Sequence, residues 1–129
     1  MLSSDAFSYV DLLDKTMDVS WQRETLITNN IANDDTPGYK RQDIEFDSVL
    51  RSAILNSHER SLDQAVAAIQ DEDLEGIVYT DYENYSYRID GNNVDMDTEN
   101  VELASEQLRY STLTTSVTNQ FSRFEMVAQ

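Results

Sequence analysis

The sequence predicts a mainly α-helical protein. Long N- and C-terminal helices form an antiparallel coiled-coil-like pair, and between them lies a small acidic central segment of short helices and a β-hairpin. Three observations predict this. Apolar residues recur at alternating spacings of three and four near both ends. No Gly or Pro occurs before residue 37, so nothing in the backbone chemistry interrupts the first helix. Charge is concentrated away from the C-terminal end: residues 1–58 carry ten acids and five bases, 59–99 twelve and two, and 100–129 three and two, giving −5, −10 and −1. The middle therefore suits solvent, and the less charged ends suit burial against other surfaces.

The first helix is expected over 5–32, about 28 residues or about 42 Å. Ser4 or Asp5 is placed to cap it by accepting orphan backbone N–H groups. Ala6, Val10, Leu13, Met17, Ser20, Glu24, Ile27 and Ile31 trace its stripe, with Leu12, Trp21 and Leu26 beside it. An ordinary amphipathic core helix and a helix made for a partner fit this pattern equally well. After it, Asn33 can end the helix and Pro37-Gly38 can take the central positions of a type II turn.

Short helices are expected over 43–54, with Ile44, Phe46, Val49, Leu50 and Ile54, and over 59–69, with Leu62, Ala65, Val66 and Ile69. Asp71-Glu72-Asp73 ends the second or opens a loop. Strands are expected over 77–80 and 85–89, the latter with Tyr85, Tyr87 and Ile89 on one face and Ser86 and Arg88 on the other, closing as a small hairpin. Asp90-Gly91-Asn92-Asn93 follows as a turn, since Gly and Asn accept positive φ.

The last helix is expected to be capped by Asp97 or Thr98, with Glu99 in its first turn, where the helix dipole favours negative charge. Leu103, Tyr110, Leu113, Val117, Phe121, Phe124 and Ala128 form its stripe. Ser111, Thr112, Thr114, Thr115, Ser116 and Thr118 crowd its centre and lower its intrinsic helicity, so it needs packing to persist.

Several functions are excluded by composition. The 129 residues make one domain with a modest core. A formal charge of −16 repels nucleic acid and anionic membrane surfaces, and no run of eighteen apolar residues offers a membrane span. The start, Met1-Leu2-Ser3-Ser4-Asp5, lacks the basic and apolar regions of a Sec signal. With no Cys and one His, neither a thiolate site nor a His-rich metal site can form. An EF-hand loop begun at Asn93 has Asp95 and Asp97 in place but Thr98 for the required Gly and Ala104 for the bidentate Glu. His58, beside Glu59 and Arg60, has no nucleophile elbow to serve. Asp71 and Asp73 read as a solvated face. No catalytic, cofactor or metal site is expected.

Two stretches are more specific. Asn30-Ile31-Ala32-Asn33 followed by Thr36-Pro37-Gly38-Tyr39 resembles the N-terminal signature of the flagellar rod and hook protein family. Asp90-Gly91-Asn92-Asn93-Val94-Asp95-Met96-Asp97, with Leu103-Ala104 and Gln107-Leu108-Arg109-Tyr110, resembles the proximal-rod type within it. The resemblance covers roughly 1–56 and 87–129. It departs in the middle, where Ser61-Leu62-Asp63-Gln64-Ala65 and the acidic run replace the family's short segment with Thr, Pro and His.

The resemblance implies a structural subunit of the bacterial flagellar basal-body proximal rod. In it 1–33 and 98–129 form a terminal-helix rod core, and 34–97 form the connecting turn, short helices and acidic centre. Its implied partners are copies of itself, other rod proteins, the adaptor joining the membrane ring to the rod, and transiently the flagellar type III export gate, which the chain would pass without a cleaved signal peptide. Val10, Leu13, Met17, Trp21, Ile27, Ile31, Leu103, Tyr110, Leu113, Val117, Phe121 and Phe124 are the expected assembly stripe. Phe46 and Leu50 resemble the Phe-x-x-x-apolar signal of export substrates, a pattern that core packing of a short helix explains equally well. The alternative function is a soluble acidic helical adaptor or export chaperone holding a partner helix in a groove.

Overall fold

The computed structural model describes residues 2–56, 61–68, 74–82 and 89–128, with backbone only for 2–7 and 68. The expectations for His58, Asp71, Asp73, Tyr85, Ser86, Tyr87 and Arg88 lie outside the described residues.

Two long helices dominate. α1 spans Leu2–Ala32 and α4 spans Met96–Ala128, with α2 (Asp47–Asn56), α3 (Leu62–Ala68) and a two-stranded antiparallel sheet of β1 (Gln42–Glu45) and β2 (Ile77–Thr80) between them. α1 starts before Ser4 and Asp5, which lie within the helix rather than capping it, because nothing from Leu2 onward breaks a helix. It ends where the Asn33 side-chain amide donates to the Asn29 carbonyl at 2.8 Å. α1 and α4 pack together in opposite senses: Asn30 meets Glu99, Arg23 meets Glu102 and Glu106, and Trp21 lies 6.2 Å from Tyr110 between ring centroids.

The helix expected over 43–54 is split. Gln42–Glu45 is a strand, paired with β2 in the register Ile44↔Val78 and Asp43↔Tyr79. Ile44 and Phe46 are buried while Glu45 between them is exposed, a period of two that a ladder partner converts into a strand. α2 begins only at Asp47, its first turn closed by the Leu50 amide donating to the Phe46 carbonyl at 2.8 Å. β2 pairs with β1, Gln42 opposite Thr80 and Glu45 opposite Ile77, and Ile89, the last residue of the strand expected over 85–89, sits exposed in a turn.

α4 begins one residue before Asp97. Asp95 is its cap, its carboxylate accepting the backbone N–H groups of Asp97 at 3.1 Å and Thr98 at 3.4 Å. Ser61 caps α3 in the same way, through the Gln64 amide at 3.2 Å. The hydroxyls of Thr112, Thr114, Thr115, Ser116 and Thr118 donate to carbonyls four residues back, so the Ser/Thr-rich centre satisfies its donors within α4 itself.

Val19, Leu26, Ile44, Phe46 and Leu74 form the buried core, with Leu12, Leu50 and Ala53 packed on it. Gly76 is part of this packing: a Cβ there would lie 2.5 Å from Ile44 Cδ1. No helix among the described residues is long and apolar enough to cross a membrane.

Candidate functional site

The two signature stretches meet. Pro37 and Gly38 occupy the centre of a turn closed by the Tyr39 amide donating to the Thr36 carbonyl at 3.2 Å, with Gly38 at φ 75°. The Gly38 amide then donates to the Asp90 carbonyl at 2.7 Å, which brings the second stretch alongside. Gly91, at φ 78°, faces Gly38: a Cβ on it would lie 3.7 Å from the Gly38 Cα.

Two buried asparagines fasten this junction. The Asn92 side-chain amide donates to the carbonyls of Asn33 at 2.8 Å, Asp34 at 3.0 Å and Thr36 at 2.8 Å, while its oxygen accepts the Val94 amide at 2.7 Å. Asn93 accepts the Arg41 backbone amide and donates to the Asp81 carbonyl, both at 2.7 Å. The Lys40 ammonium donates to the Gly91 carbonyl. An unpaired carbonyl shielded from water costs about 1–3 kcal/mol, and the two N–H groups of the Asn92 side chain are shared among these three part-buried carbonyls.

Asn30 does the equivalent work at the end of α1. Fully buried, it donates to the Gln42 carbonyl at 2.8 Å and to Glu99 at 3.3 Å, and accepts the Gln42 amide at 2.9 Å and the Tyr39 hydroxyl at 3.2 Å. α1, the strand β1 and α4 therefore converge on a single amide. Burial, with Glu99 nearby, pushes the Tyr39 phenol up from its ordinary value.

Beside it is an ion-pair network that the sequence reading missed. Arg23 pairs with Asp43 at 2.9 Å, Glu102 at 2.7 Å and Glu106 at 2.9 Å. Arg41 pairs with Glu99 at 2.6 Å, Asp43 at 3.3 Å and Asp81 at 3.4 Å. Burial opposes charge at Asp43, but the Arg23 guanidinium and the Ile44 amide outweigh it and hold the carboxyl below the usual carboxylate range. Burial likewise opposes charge on both guanidiniums, and their carboxylate partners overcome it and raise them. A readable signal existed, since Glu99, Glu102 and Glu106 recur at spacings of three and four and line one face of α4. Among the described residues no group of acids and His is arranged to hold a metal ion, and Asp95, tested above as a calcium ligand, caps α4.

The assembly-stripe residues divide. Ile27 is completely buried; Val10, Leu13, Met17, Ile31, Leu103, Tyr110, Leu113, Val117 and Phe124 are half-buried; Trp21 and Phe121 are 62% and 52% exposed. Phe121 stacks edge-on with Phe124. Phe46 is buried in the core and Leu50 packs on it.

No family model matches the chain. Its relatives are nevertheless consistent. A protein of Borrelia hermsii called flagellar basal body rod protein FlgB is 34% identical over 128 residues, covering 92% of this chain and 93% of the relative. The Bacillus subtilis protein of the same name is 32% identical over 105 residues, covering 81% of each. That of Escherichia coli is 30% identical over 115 residues, covering 84% of this chain and 83% of the relative. The chain thus belongs to the FlgB family of flagellar basal-body rod proteins, and is a structural part of that rod rather than an enzyme.

Proposed function

We propose that the chain builds the proximal segment of the rod and does so through its terminal helices. Residues 1–33 and 98–129 form the rod core as a coiled-coil-like pair, and 34–97 connect them and set their angle. The observation that carries this is the exposure of Trp21, Val101, Leu108, Phe121, Met126 and Val127 along two helices that already pack on each other. Apolar surface of this kind gains by burial against neighbours, copies of this chain, other rod proteins and the adaptor at the membrane ring. The junction of Asn30, Asn92 and Asn93 fixes the frame from which the two helices project.

Passage through the flagellar type III export gate precedes folding, so Phe46 and Leu50 can be read there before they enter the core. Labelled chain in isolated basal bodies should mark the membrane-proximal end of the rod; label confined to another part overturns the assignment. In cells lacking later rod components, Phe46→Ala should remain in the cytoplasm, and normal secretion removes its role as export signal.

A further inference from the structure

A cleft of about 390 Å³ opens between α1, β1, the start of α2 and α4. Ser20, Arg23, Asp43, Phe46, Glu106 and Arg109 are among its lining residues. Ser20 is 2% exposed, and its hydroxyl has no hydrogen-bond partner among the described residues. Eight other Ser and Thr hydroxyls on α1 and α4 donate to the carbonyl four residues back, and the buried one does not. A buried hydroxyl without a partner is costly, and an incoming donor that satisfied it would gain by that cost.

The charge around it selects the partner. Arg23 and Arg41 are shared among Asp43, Asp81, Glu99, Glu102 and Glu106, five carboxylates to two guanidiniums. The Arg23 donors are taken by those acids, and Arg109 pairs with Asp47 at 2.9 Å. An incoming anion meets guanidiniums already paired with acids and faces Asp43 and Glu106; an incoming cation finds the Ser20 oxygen as acceptor and shares Glu106 with Arg23. We infer that this cleft receives a Lys or Arg side chain of an adjoining subunit, a different chain more basic than this one. A second copy, itself at −16, is disfavoured by like-charge repulsion. That the occupant is a rod subunit rests on the assembly proposed above; the preference of the cleft for a cation does not.

The test uses the full-length chain and three pentapeptide probes, each blocked at both ends: Ala-Ala-Lys-Ala-Ala, its Arg counterpart and its Glu counterpart. In NMR titration at low salt, the Lys or Arg peptide should shift the amides around Ser20, Arg23, Ile44 and Glu106 saturably, and the Glu peptide should not. Ser20→Ala should keep or raise stability to urea, because it removes an unsatisfied hydroxyl, yet weaken peptide binding three- to tenfold. Glu106→Gln should weaken it further. Absence of saturable shifts, preference for the Glu peptide, shifts confined to the outer acids Asp11, Asp14 and Asp18, or unchanged binding by Ser20→Ala each overturn the inference. Membership of the rod is read separately, from the label in basal bodies. In assembled rods, a short amine-reactive cross-linker carried on Ser20→Cys, the chain having no other cysteine, should join a Lys of a different chain. Joining to Lys15 or Lys40 of a second copy overturns the choice of occupant.

Discussion

Asn30 donates a hydrogen bond to Glu99 across 3.3 Å, linking the last turn of α1 to the first turn of α4 from 69 residues away. The same amide satisfies both backbone groups of Gln42. Asn30→Ala should therefore orphan a buried N–H and a buried C=O together and destabilise the chain by about 2–5 kcal/mol. Urea denaturation of the purified variant checks this; a loss below about 1 kcal/mol would mean that water replaces the amide.

Gly38 and Gly76 are needed for different reasons, and a pair of variants separates them. Gly38 has a positive φ and no atom within 4 Å of a Cβ position, so Gly38→Ala should cost about 1–2 kcal/mol from backbone conformation alone. At Gly76 a Cβ would press on Ile44 Cδ1, so Gly76→Ala should cost about 1–3 kcal/mol by overpacking. Ile44→Val removes that Cδ1 and should recover part of the Gly76→Ala loss while recovering none of the Gly38→Ala loss. Additive behaviour in both double variants would show that the Gly76 backbone moves instead.

Asp43 should make the fold sensitive to acid. Its carboxyl is held below the ordinary value of about 3.9 by Arg23 and the Ile44 amide. At pH above about 5 both folded and unfolded chains carry it ionised, and its contribution is present in full. As pH falls below that, the unfolded chain takes up the proton first, and the contribution fades until the folded-state carboxyl is also protonated. Asp43→Asn should be less stable than wild type at pH 7, and the gap should narrow below about pH 5. Urea midpoints measured from pH 7 to 3 report it, and a gap independent of pH removes Asp43 as the source.

Much of the frame was legible because it is local. Unbroken periodicity announced both long helices, and Pro37-Gly38 announced its own turn. What was missed depends on residues far apart in sequence. Gln42–Glu45 alternates as Ile44 and Phe46 do, yet a short window does not tell a strand from a helix until Ile77–Thr80 arrives to pair with it. Asp95, Asp97 and Thr98 are all competent caps, and the choice of Asp95 follows from where the Asn92–Asn93 clamp releases the chain. Arg23 and Arg41 become a network only once α1, β1 and α4 are adjacent, and no spacing rule gives that adjacency.

Ile27 and Phe121 belong to the same expected stripe, but their burial separates folding from assembly. Ile27 is sealed between elements of one chain, so Ile27→Ala should destabilise the purified protein by about 2–5 kcal/mol. Phe121 is 52% exposed and touches Phe124, so Phe121→Ala should change monomer stability by only about 0.5 kcal/mol. In the rod the order reverses if the exposed ring is a packed contact between subunits. Phe121→Ala should then be exported normally and fail to support motility, with each copy around the tube losing the same contact. Denaturation of the two purified variants beside swimming-plate assays of the two strains gives all four measurements. A motile Phe121→Ala strain would mean that this ring stays in solvent, and the assembly face would shift to the half of α4 around Val101 and Leu108.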